Sequence, residues 1–474
     1  MKTFFTSILC FFFFAIGFSQ SGHAIDFKIN GYTNDTLIVG YYFTNKQLVL
    51  DTLFNEEIGV FKLKGEDTLD AGMYLVLTLP DRQVGQFMVP ADDQEFKLEF
   101  NIANMRYAEV EGSKDNQMFQ DYLVYIGECK ARADDINTQL ELAGDDADKR
   151  SSLEEALNKL DDEVNAHLDK LITENPNTVT ALLLKSNVAV PMPEFEGDPE
   201  QIKLDRYYFY KRHYFDNIDL QSPAILRTAF LHAKVDYYLE KLTPQHPDSV
   251  SHSLDVVLGK MDEDSELFKS YLSHYLTKYA KSKFIGYDAI YVHLIKNYYA
   301  KGKAPWVEEE TLLKMTDEAR RLDPILIGRT AEDIKIYKED GSIISISDID
   351  YEYLVLYFWD PDCGHCKKTT PKLVEFEKNF KEKGVKVLAV CTALRDKTPK
   401  CWDSIKEKDM LGFINAADQN HKSRFKLKYN IKTTPTIFVL NPDREILIKG
   451  LGVEQLPEVM GNIIQEAEDK KGGD

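Results

Sequence analysis

Two cysteines, Cys363 and Cys366, are the residues of this 474-residue sequence whose type and spacing best suit chemistry. They flank Gly364 and His365 and closely follow the apolar run Tyr353–Trp359, and a helical pattern begins at the pair. The first turn of a helix carries unpaired N–H groups and a partial positive charge, which stabilise a thiolate over a thiol. We therefore predict that Cys363 is a nucleophile.

The spacing places Cys366 one helical turn after Cys363. We expect Cys363 to attack a substrate disulfide and form a mixed disulfide, which Cys366 then resolves. Half of a zinc site is the alternative, but zinc needs a second pair of cysteines or histidines, and Cys391 and Cys401 lie in a different pattern. The sequence therefore favours redox chemistry, with no metal and no cofactor.

The elements that must position this pair follow a strand and helix pattern. The apolar run before the pair is continuous, which is typical of a central strand covered on both faces. Residues 334–337 and 343–346 flank a turn and predict a hairpin. Pro324 and Gly328 mark a boundary before this pattern. An α/β domain is therefore expected at 323–474.

Several short motifs of this region combine in one pattern. They are Phe358-Trp359-x-x-x-Cys363-Gly364-His365-Cys366-Lys367-Lys368, Pro371 five residues after the second cysteine, and Thr433-Thr434-Pro435-Thr436 before a strand at 437–440. The combination resembles the thioredoxin superfamily, and most closely the secreted thiol-disulfide oxidoreductases of the TlpA/ResA type. The resemblance implies a thioredoxin fold for the C-terminal domain and covers about 145 residues of the chain.

The resemblance also implies roles for residues around the pair. In this superfamily the position of Pro435 is a cis proline that faces the two cysteines, so Thr434 and Pro435 are expected to bind substrate backbone. Trp359 matches the aromatic residue beside the active site. The substrates implied are proteins with thiols or disulfides, together with a redox partner protein.

Three positions bear on the direction of the reaction. The Gly364-His365 dipeptide matches protein disulfide isomerases, and a protonated His365 would stabilise the thiolate and make the pair more oxidising than thioredoxin. Thioredoxins have a buried Asp at the position of Tyr357, and ResA-like reductases have a Glu at that of Thr369. Because both acids accept the proton of the resolving thiol, this chain must use water or another group, or resolve slowly. Reductase, oxidase and isomerase therefore all remain open.

A peroxidase of the peroxiredoxin type shares the expected fold. That class needs a threonine three residues before its reactive cysteine, and Asp360 occupies this position. The sequence therefore disfavours a peroxidase.

The other cysteines are Cys129, Cys391, Cys401 and Cys10, the last within a predicted leader. Without Cys10 the count is odd, which is unlike a disulfide-stapled scaffold. Cys391 ends a strand pattern and Cys401 begins a helix pattern. They could form a second disulfide or a relay, but we favour buried free thiols. Cys129 is expected to be a core residue.

Residues 1–19 have the pattern of a signal peptide, with Lys2, an apolar run at 4–18 and small residues at Gly17 and Ser19. The run is shorter than the ~20 residues of a membrane span. We expect cleavage near Ser19, export across the inner membrane to the periplasm or cell envelope, and no membrane span afterwards.

Two further domains precede the α/β domain. Short alternating segments separated by turn residues predict an antiparallel β-sandwich at 20–105. Helical periodicity predicts an all-α domain at 106–322. Its histidines are scattered, and we predict no histidine or acid pair at the four-residue spacing of a metal site.

The net charge of −20 disfavours nucleic acid and anionic lipid surfaces as partners. The sequence predicts an envelope thiol-disulfide oxidoreductase, and its domain order resembles multidomain envelope proteins of Bacteroidetes. The alternative is a binding module for an envelope protein or glycan that carries an accessory thioredoxin unit. The oligomeric state is open.

Overall fold

The computed structural model describes residues 22–472, and the predicted signal peptide at 1–19 lies outside them. The chain forms two compact units. One comprises the residues up to Leu242 with Lys260–Leu267, and the other comprises Thr243–Gly259 with Phe268 onward. The fold class is confirmed: β-sheets come first, helices follow, and an α/β domain of the thioredoxin type ends the chain. The domain limits at 105 and 322 stay predictions.

Within the described residues, the N-terminal β region has eight strands in two four-stranded sheets, ordered β4-β1-β7-β8 and β3-β2-β5-β6. The strands are β1 His23–Asn30, β2 Thr36–Phe43, β3 Lys46–Phe54, β4 Val60–Gly65, β5 Gly72–Thr78, β6 Val84–Val89, β7 Glu95–Asn101 and β8 Asn104–Glu111.

One pairing in this region differs from an antiparallel sandwich. Strands β1 and β7 run parallel, while β1 and β4 are antiparallel. The chain reaches β7 only after visiting the other sheet, so no tight hairpin forces these two strands to oppose each other. The alternating residues Ile25, Phe27 and Ile29 of β1 lie in the core between the sheets. The period of two that predicted β1 thus also sets which face it buries.

Helices fill the part of the chain described between β8 and the C-terminal domain. They are α1 Lys114–Ala143, α2 Ala147–Glu174, α3 Val179–Lys185, α4 Pro199–His213, α5 Leu231–Glu240, α6 Pro247–Leu258, α7 Glu266–Ala280, α8 Asp288–Leu294 and α9 Glu309–Leu322. Ser113 caps α1 by accepting a hydrogen bond from the Asn116 backbone N–H. No helix within residues 22–472 combines the length and apolar character that a membrane crossing requires.

The prediction that this region has no histidine or acid pair at the four-residue spacing of a metal site is wrong. His232 and Asp236 do stand four residues apart on α5, with 3.2 Å between Nε2 and Oδ2. The helix places residues at this spacing on one face, so the acid of the next turn supplies an acceptor to the largely buried ring.

The C-terminal domain contains a seven-stranded sheet ordered β10-β9-β13-β12-β11-β14-β15. The strands are β9 Lys335–Tyr337, β10 Ile343–Ser345, β11 Tyr353–Trp359, β12 Val385–Cys391, β13 Ile414–Ala417, β14 Thr436–Leu440 and β15 Ile446–Lys449. The helices are α10 Gly364–Phe380, α11 Pro399–Glu407, α12 Phe425–Lys428 and α13 Leu456–Gly472.

Strand β11 is central, as its unbroken apolar run predicts. It pairs in parallel with β12 and antiparallel with β14. Tyr357 and Trp359 point into a core that also contains Cys366 of α10, whereas Leu356 and Phe358 point into the core on the other face. Burial on both faces explains why the strand lacks the polar alternation of a half-exposed one.

An ion pair joins α8 to β15 within the second compact unit. Lys449 is 9% exposed, and its Nζ contacts Asp288 Oδ2. Burial lowers the pKa of Lys449, and the Asp288 carboxylate opposes that shift. A buried ammonium group needs a counter-ion, and Asp288 of α8 supplies it to Lys449 of β15.

Candidate active site

Cys363 lies where β11 passes into α10. The turn between them is held by Asp360, whose Oδ1 accepts from the Asp362 N–H at 2.8 Å and whose carbonyl accepts from the Cys363 N–H at 3.2 Å. Cys363 is the N-cap residue of α10, and its Sγ accepts from the Cys366 backbone N–H at 3.2 Å. The sulfur therefore takes the place of an N-cap oxygen at the positive end of a 17-residue helix.

The surroundings of Cys363 favour its thiolate. Its side chain is partly exposed, and its Sγ donates to the Thr434 carbonyl oxygen at 3.1 Å. Burial raises the pKa of Cys363, but hydrogen bonds involving the Cys366 and Thr434 side chains and the backbone of Cys366 and His365 outweigh it. The net result is a pKa below the ordinary value.

Cys366 is the opposite case. It is 1% exposed, and burial followed by hydrogen bonding with Cys363 raises its pKa to about 12. The two thiols are three residues apart, yet the pKa of Cys363 is lowered and that of Cys366 is raised. Cys363 thus presents a nucleophilic sulfur at the surface, and Cys366 keeps a protonated sulfur in the core beneath it.

Trp359, Gly364 and His365 surround the pair in different ways. Trp359 is 0% exposed and packs in the same core as Cys366, so its ring supports the site from below. Its carbonyl accepts from the Thr392 N–H at 2.8 Å. Gly364 and His365 are exposed, and a side chain at Gly364 would meet nothing within 4 Å. The surface beside Cys363 is thus open.

Thr434 and Pro435 come next to the pair from 71 residues away in the sequence. The Thr434–Pro435 peptide bond is cis. Thr436 Oγ1 donates to the Thr433 carbonyl at 2.7 Å, which closes the turn before β14. The Thr434 carbonyl is consequently aimed at Cys363.

Two residues near Cys366, Tyr357 and Thr370, were not predicted to be site residues, although Tyr357 was noted at the position of the buried thioredoxin Asp. The Tyr357 hydroxyl lies 2.9 Å from Thr370 Oγ1, and Thr370 Oγ1 donates to the Cys366 carbonyl at 2.8 Å. All three residues are buried. A signal existed, since the period of two along β11 places Tyr357 on the same face as Trp359.

Cys391 and Cys401 form a disulfide, so the expectation that they are buried free thiols is corrected. Their sulfurs are 2.10 Å apart and their Cα atoms 6.2 Å apart. Cys391 ends β12 and Cys401 lies on α11, and the chain between them folds back so that both reach one core. Sulfurs bonded to each other cannot serve as thiolate ligands of a zinc shared with Cys363. Cys129 is a buried free thiol on α1.

Two family models match the chain. The AhpC/TSA family matches residues 327–448, and a Domain of unknown function (DUF5106) matches residues 147–322.

Several curated relatives are named thiol-disulfide oxidoreductase ResA. A protein from Bacillus cereus is 27% identical over 140 residues, which are 30% of this chain and 78% of the relative. The protein from Bacillus subtilis (strain 168) is 24% identical over 143 residues, which are 30% of this chain and 77% of the relative.

Two solved structures are also similar. A domain of a possible thiol-disulfide isomerase from Cytophaga hutchinsonii is 28% identical, with a TM-score of 0.29, and the match covers 30% of this chain and 97% of that one. A thioredoxin-like protein from Bacteroides caccae is 20% identical, with a TM-score of 0.42, and the match covers 57% of this chain and 96% of that one.

The match to the family model at residues 327–448 includes the strand, the cysteine pair and the helix of the C-terminal domain. The C-terminal domain is thus similar to the AhpC/TSA family and to thiol-disulfide oxidoreductases named ResA.

Proposed function

We propose that this protein is a cell-envelope thiol-disulfide oxidoreductase that exchanges disulfides with protein substrates through Cys363 and Cys366. The observation that carries the proposal is the asymmetry of the two sulfurs. Cys363 is partly exposed with a lowered pKa, and Cys366 is buried with a raised one. Exchange needs this division, since the first sulfur must attack as a thiolate and the second must wait until a mixed disulfide has formed.

In the reductive direction the Cys363 thiolate attacks one sulfur of a substrate disulfide. The substrate S–S bond breaks, its electron pair leaves on the other substrate sulfur, and a mixed disulfide remains. Cys366 then attacks Cys363 Sγ, which releases the second substrate sulfur and forms the Cys363–Cys366 disulfide. The substrate gains two electrons, and a dithiol partner protein must supply two electrons to reduce the Cys363–Cys366 disulfide again. The oxidative direction is the same sequence in reverse.

We assign substrate binding to Thr434 and Pro435. The Thr434 carbonyl lies 3.1 Å from Cys363 Sγ, so a backbone N–H that pairs with it holds the substrate beside the nucleophile. Positioning of this kind turns a bimolecular attack into an effectively unimolecular one. Trp359 supports the pair from the core, and Gly364 leaves the approach open.

The direction of the reaction depends on the redox potential. His365 is exposed beside Cys363, where its protonated ring would favour the thiolate and so the reduced state. We propose a potential above that of thioredoxin, which is about −270 mV. A redox titration against glutathione measures it, and a value at or below that of thioredoxin would contradict the role of His365.

The site of action is proposed to be the periplasm or cell envelope. The predicted signal peptide and the free thiol pair both fit a compartment where protein disulfides form and are exchanged. Fractionation of cells that express the full-length gene tests this, and recovery of the protein only with a cytoplasmic marker would contradict it.

Trapping of mixed disulfides is the decisive test of the activity. A Cys366→Ser variant keeps the nucleophile but cannot resolve the intermediate, so it should accumulate covalent, reductant-sensitive adducts with envelope proteins. The matched control is the Cys363→Ser/Cys366→Ser variant, which should form none. Absence of adducts from the single variant, or equal adducts from the control, would contradict the proposal.

A further inference from the structure

The second compact unit contains a cleft that the exchange reaction described above does not use. Its volume is about 570 Å³. One wall comes from the end of α7 and the turn that leads to α8, and the other comes from β14, β15 and the segment before β14. A cleft of this volume lies in the size range of ligand sites, so it can hold a side chain of a bound polypeptide.

Apolar side chains line the cleft both in its interior and near solvent. Ile325, Tyr429 and Phe438 line it and are buried. Phe284 and Ile285 also line it, and they are 75% and 39% exposed. Large apolar side chains at the surface beside an apolar cleft are typical of a binding site.

Phe284 is held in its exposed position by its neighbours in the turn before α8. Ser282 Oγ accepts from the Phe284 N–H at 3.2 Å, and the Phe284 carbonyl accepts from the Tyr287 N–H at 3.2 Å. The Phe284 and Tyr287 rings also pack together, with 5.3 Å between their centroids. A ring that is positioned before binding loses little conformational entropy when a ligand packs on it.

Two of the lysines that line the cleft have acidic partners. Lys449 contacts Asp288, and Lys432 Nζ lies 2.5 Å from Glu318 Oε1. Lys283 lines the cleft as well and is exposed to water. A charge that is already matched by its partner attracts a further ion only weakly. The cleft is therefore better suited to a neutral, apolar group than to a charged one.

The cleft is continuous with the surface beside the nucleophile. Lys432 and Thr436 line the cleft, and they flank Thr434 and Pro435 in the chain. The Thr434 carbonyl lies 3.1 Å from Cys363 Sγ. Two residues of chain span at most about 7 Å, so the cleft begins close to the carbonyl that we assign to substrate binding. A substrate held at this carbonyl can thus place a neighbouring side chain in the cleft.

We propose that the cleft binds an apolar side chain, preferably aromatic, that lies about two to four residues from the reacting cysteine of a protein substrate. The inference rests on the proposed exchange activity and names its substrate class. A folded protein buries most of its large apolar side chains, whereas an incompletely folded one exposes them on extended chain. The substrates are therefore incompletely folded proteins with an apolar residue near the cysteine.

Two peptides that differ at one position test this preference. Each contains a cysteine in a mixed disulfide with glutathione, and the third residue after the cysteine is Phe in one peptide and Ser in the other. Reduced full-length protein takes up the disulfide, and the peptide and glutathione leave as thiols. The Phe peptide should react about 10-fold faster than the Ser peptide, since its side chain leaves water on binding. Chromatography of the released peptide thiol measures both rates.

Variants of the cleft should lose this preference and keep the chemistry. Phe284→Ala should lower the ratio of the two rates to about 3-fold, and Ile285→Ala should lower it in the same direction. Neither variant should change the rate with the Ser peptide or with glutathione disulfide, which lack the apolar side chain. Phe54→Ala is the matched control, because it removes a phenyl ring that is 70% exposed on β3, outside the cleft. A wild-type ratio near one, or equal loss of the ratio in Phe54→Ala, would overturn the proposal.

Photocrosslinking locates the bound side chain directly. A peptide with benzoylphenylalanine in place of Phe is first trapped as its mixed disulfide on Cys366→Ser and is then irradiated. Mass spectrometry of the digested adduct should find the crosslink within 282–286 or at Leu322 or Ile325, which line the cleft. Crosslinks that fall only outside the cleft would overturn the proposal.

Two further outcomes have separate meanings. If sedimentation shows a wild-type dimer that Phe284→Ala dissociates, a second copy of the chain occupies the cleft, and the proposal is overturned. If neither peptide nor glutathione disulfide oxidises the reduced wild-type protein, the exchange activity itself is refuted. Exchange that proceeds equally fast with both peptides refutes only the role of the cleft.

Discussion

The C-terminal domain contains two cysteine pairs in opposite states. Cys363 and Cys366 are free thiols at the junction of β11 and α10, and one of them reaches the surface. Cys391 and Cys401 are joined in a disulfide, and their exposures are 1% and 0%. Four cysteines of one domain thus divide into a reactive pair and a structural link.

The difference shows that position, rather than residue type, decides what a cysteine does. Cys363 has a helix N-terminus, a carbonyl and an open surface beside it. The second pair is enclosed by core, where no reductant or substrate can approach. The predictions below challenge this contrast.

The largest expected effect is loss of exchange activity in Cys363→Ser. Among residues 22–472, Cys363 is the sulfur that combines a lowered pKa with exposure, so its removal should reduce disulfide exchange to the rate of the uncatalysed reaction. Stopped-flow release of thiolate from an aromatic disulfide measures it. The Cys391→Ala/Cys401→Ala variant is the control and should retain the activity. If the two variants lose activity equally, the contrast between the pairs is wrong.

The second pair should matter for stability instead. Opening a link between residues separated by 10 positions should cost about 2–3 kcal/mol in the free energy of unfolding, through the entropy of the unfolded chain. Denaturant unfolding of Cys391→Ala/Cys401→Ala, followed by tryptophan fluorescence, tests this. Cys129→Ala deletes one buried free thiol and no covalent link, and should cost less. Unchanged midpoints in the double variant would contradict a structural disulfide.

A variant of His365 tests what sets the redox potential of the pair Cys363 and Cys366. His365→Ala removes the imidazole ring that we propose to favour the Cys363 thiolate, so the redox potential should fall by about 30 mV, equivalent to about 1.4 kcal/mol. Titration against glutathione with quantification of the thiols measures the shift. His421→Ala alters a histidine of the same domain that stacks on Phe425 and should leave the potential unchanged. If His365→Ala leaves the redox potential unchanged, the imidazole ring does not favour the Cys363 thiolate.

The smallest expected effect concerns the pKa of Cys363. A lowered pKa means that the thiolate is fully present above it and is lost as the pH falls through it. Alkylation rates of the wild type should therefore show a midpoint below the ~8.5 of a free thiol. Cys366→Ala removes a donor and should raise the midpoint by about half to one pH unit, whereas Cys366→Ser keeps an O–H donor and should raise it less. Equal midpoints in both variants would exclude the side-chain hydrogen bond.

Much of the fold could be predicted because its signals are local. The continuous apolar run of β11 identifies a strand covered on both faces, and the helix after Cys363 follows from its spacing of apolar residues. Strand β3 carries no such signal, because it is a sheet edge with Leu53 as its single buried residue. The parallel pairing of β1 with β7 was missed because it depends on the path of the whole chain.

The candidate active site likewise contains residues that short motifs identify and contacts that only the folded chain creates. Cys363, Cys366 and the Thr434-Pro435 segment could be named from short motifs, although their roles remain proposals. The link between Cys391 and Cys401 could not be fixed, since only the turn back from β12 to α11 brings the sulfurs together. The contact of Tyr357 with Thr370 joins a strand to a helix turn, and such a contact has no spacing signature in the sequence.

The ion pair between Asp288 and Lys449 limits how this protein can be dissected. A truncated fragment that starts at residue 323 lacks α8, so the buried Lys449 loses its counter-ion Asp288. We expect such a fragment to be less soluble and less stable than the same domain in the intact chain. Biochemistry on an excised redox domain would then report the damage of the cut along with the chemistry of the thiols.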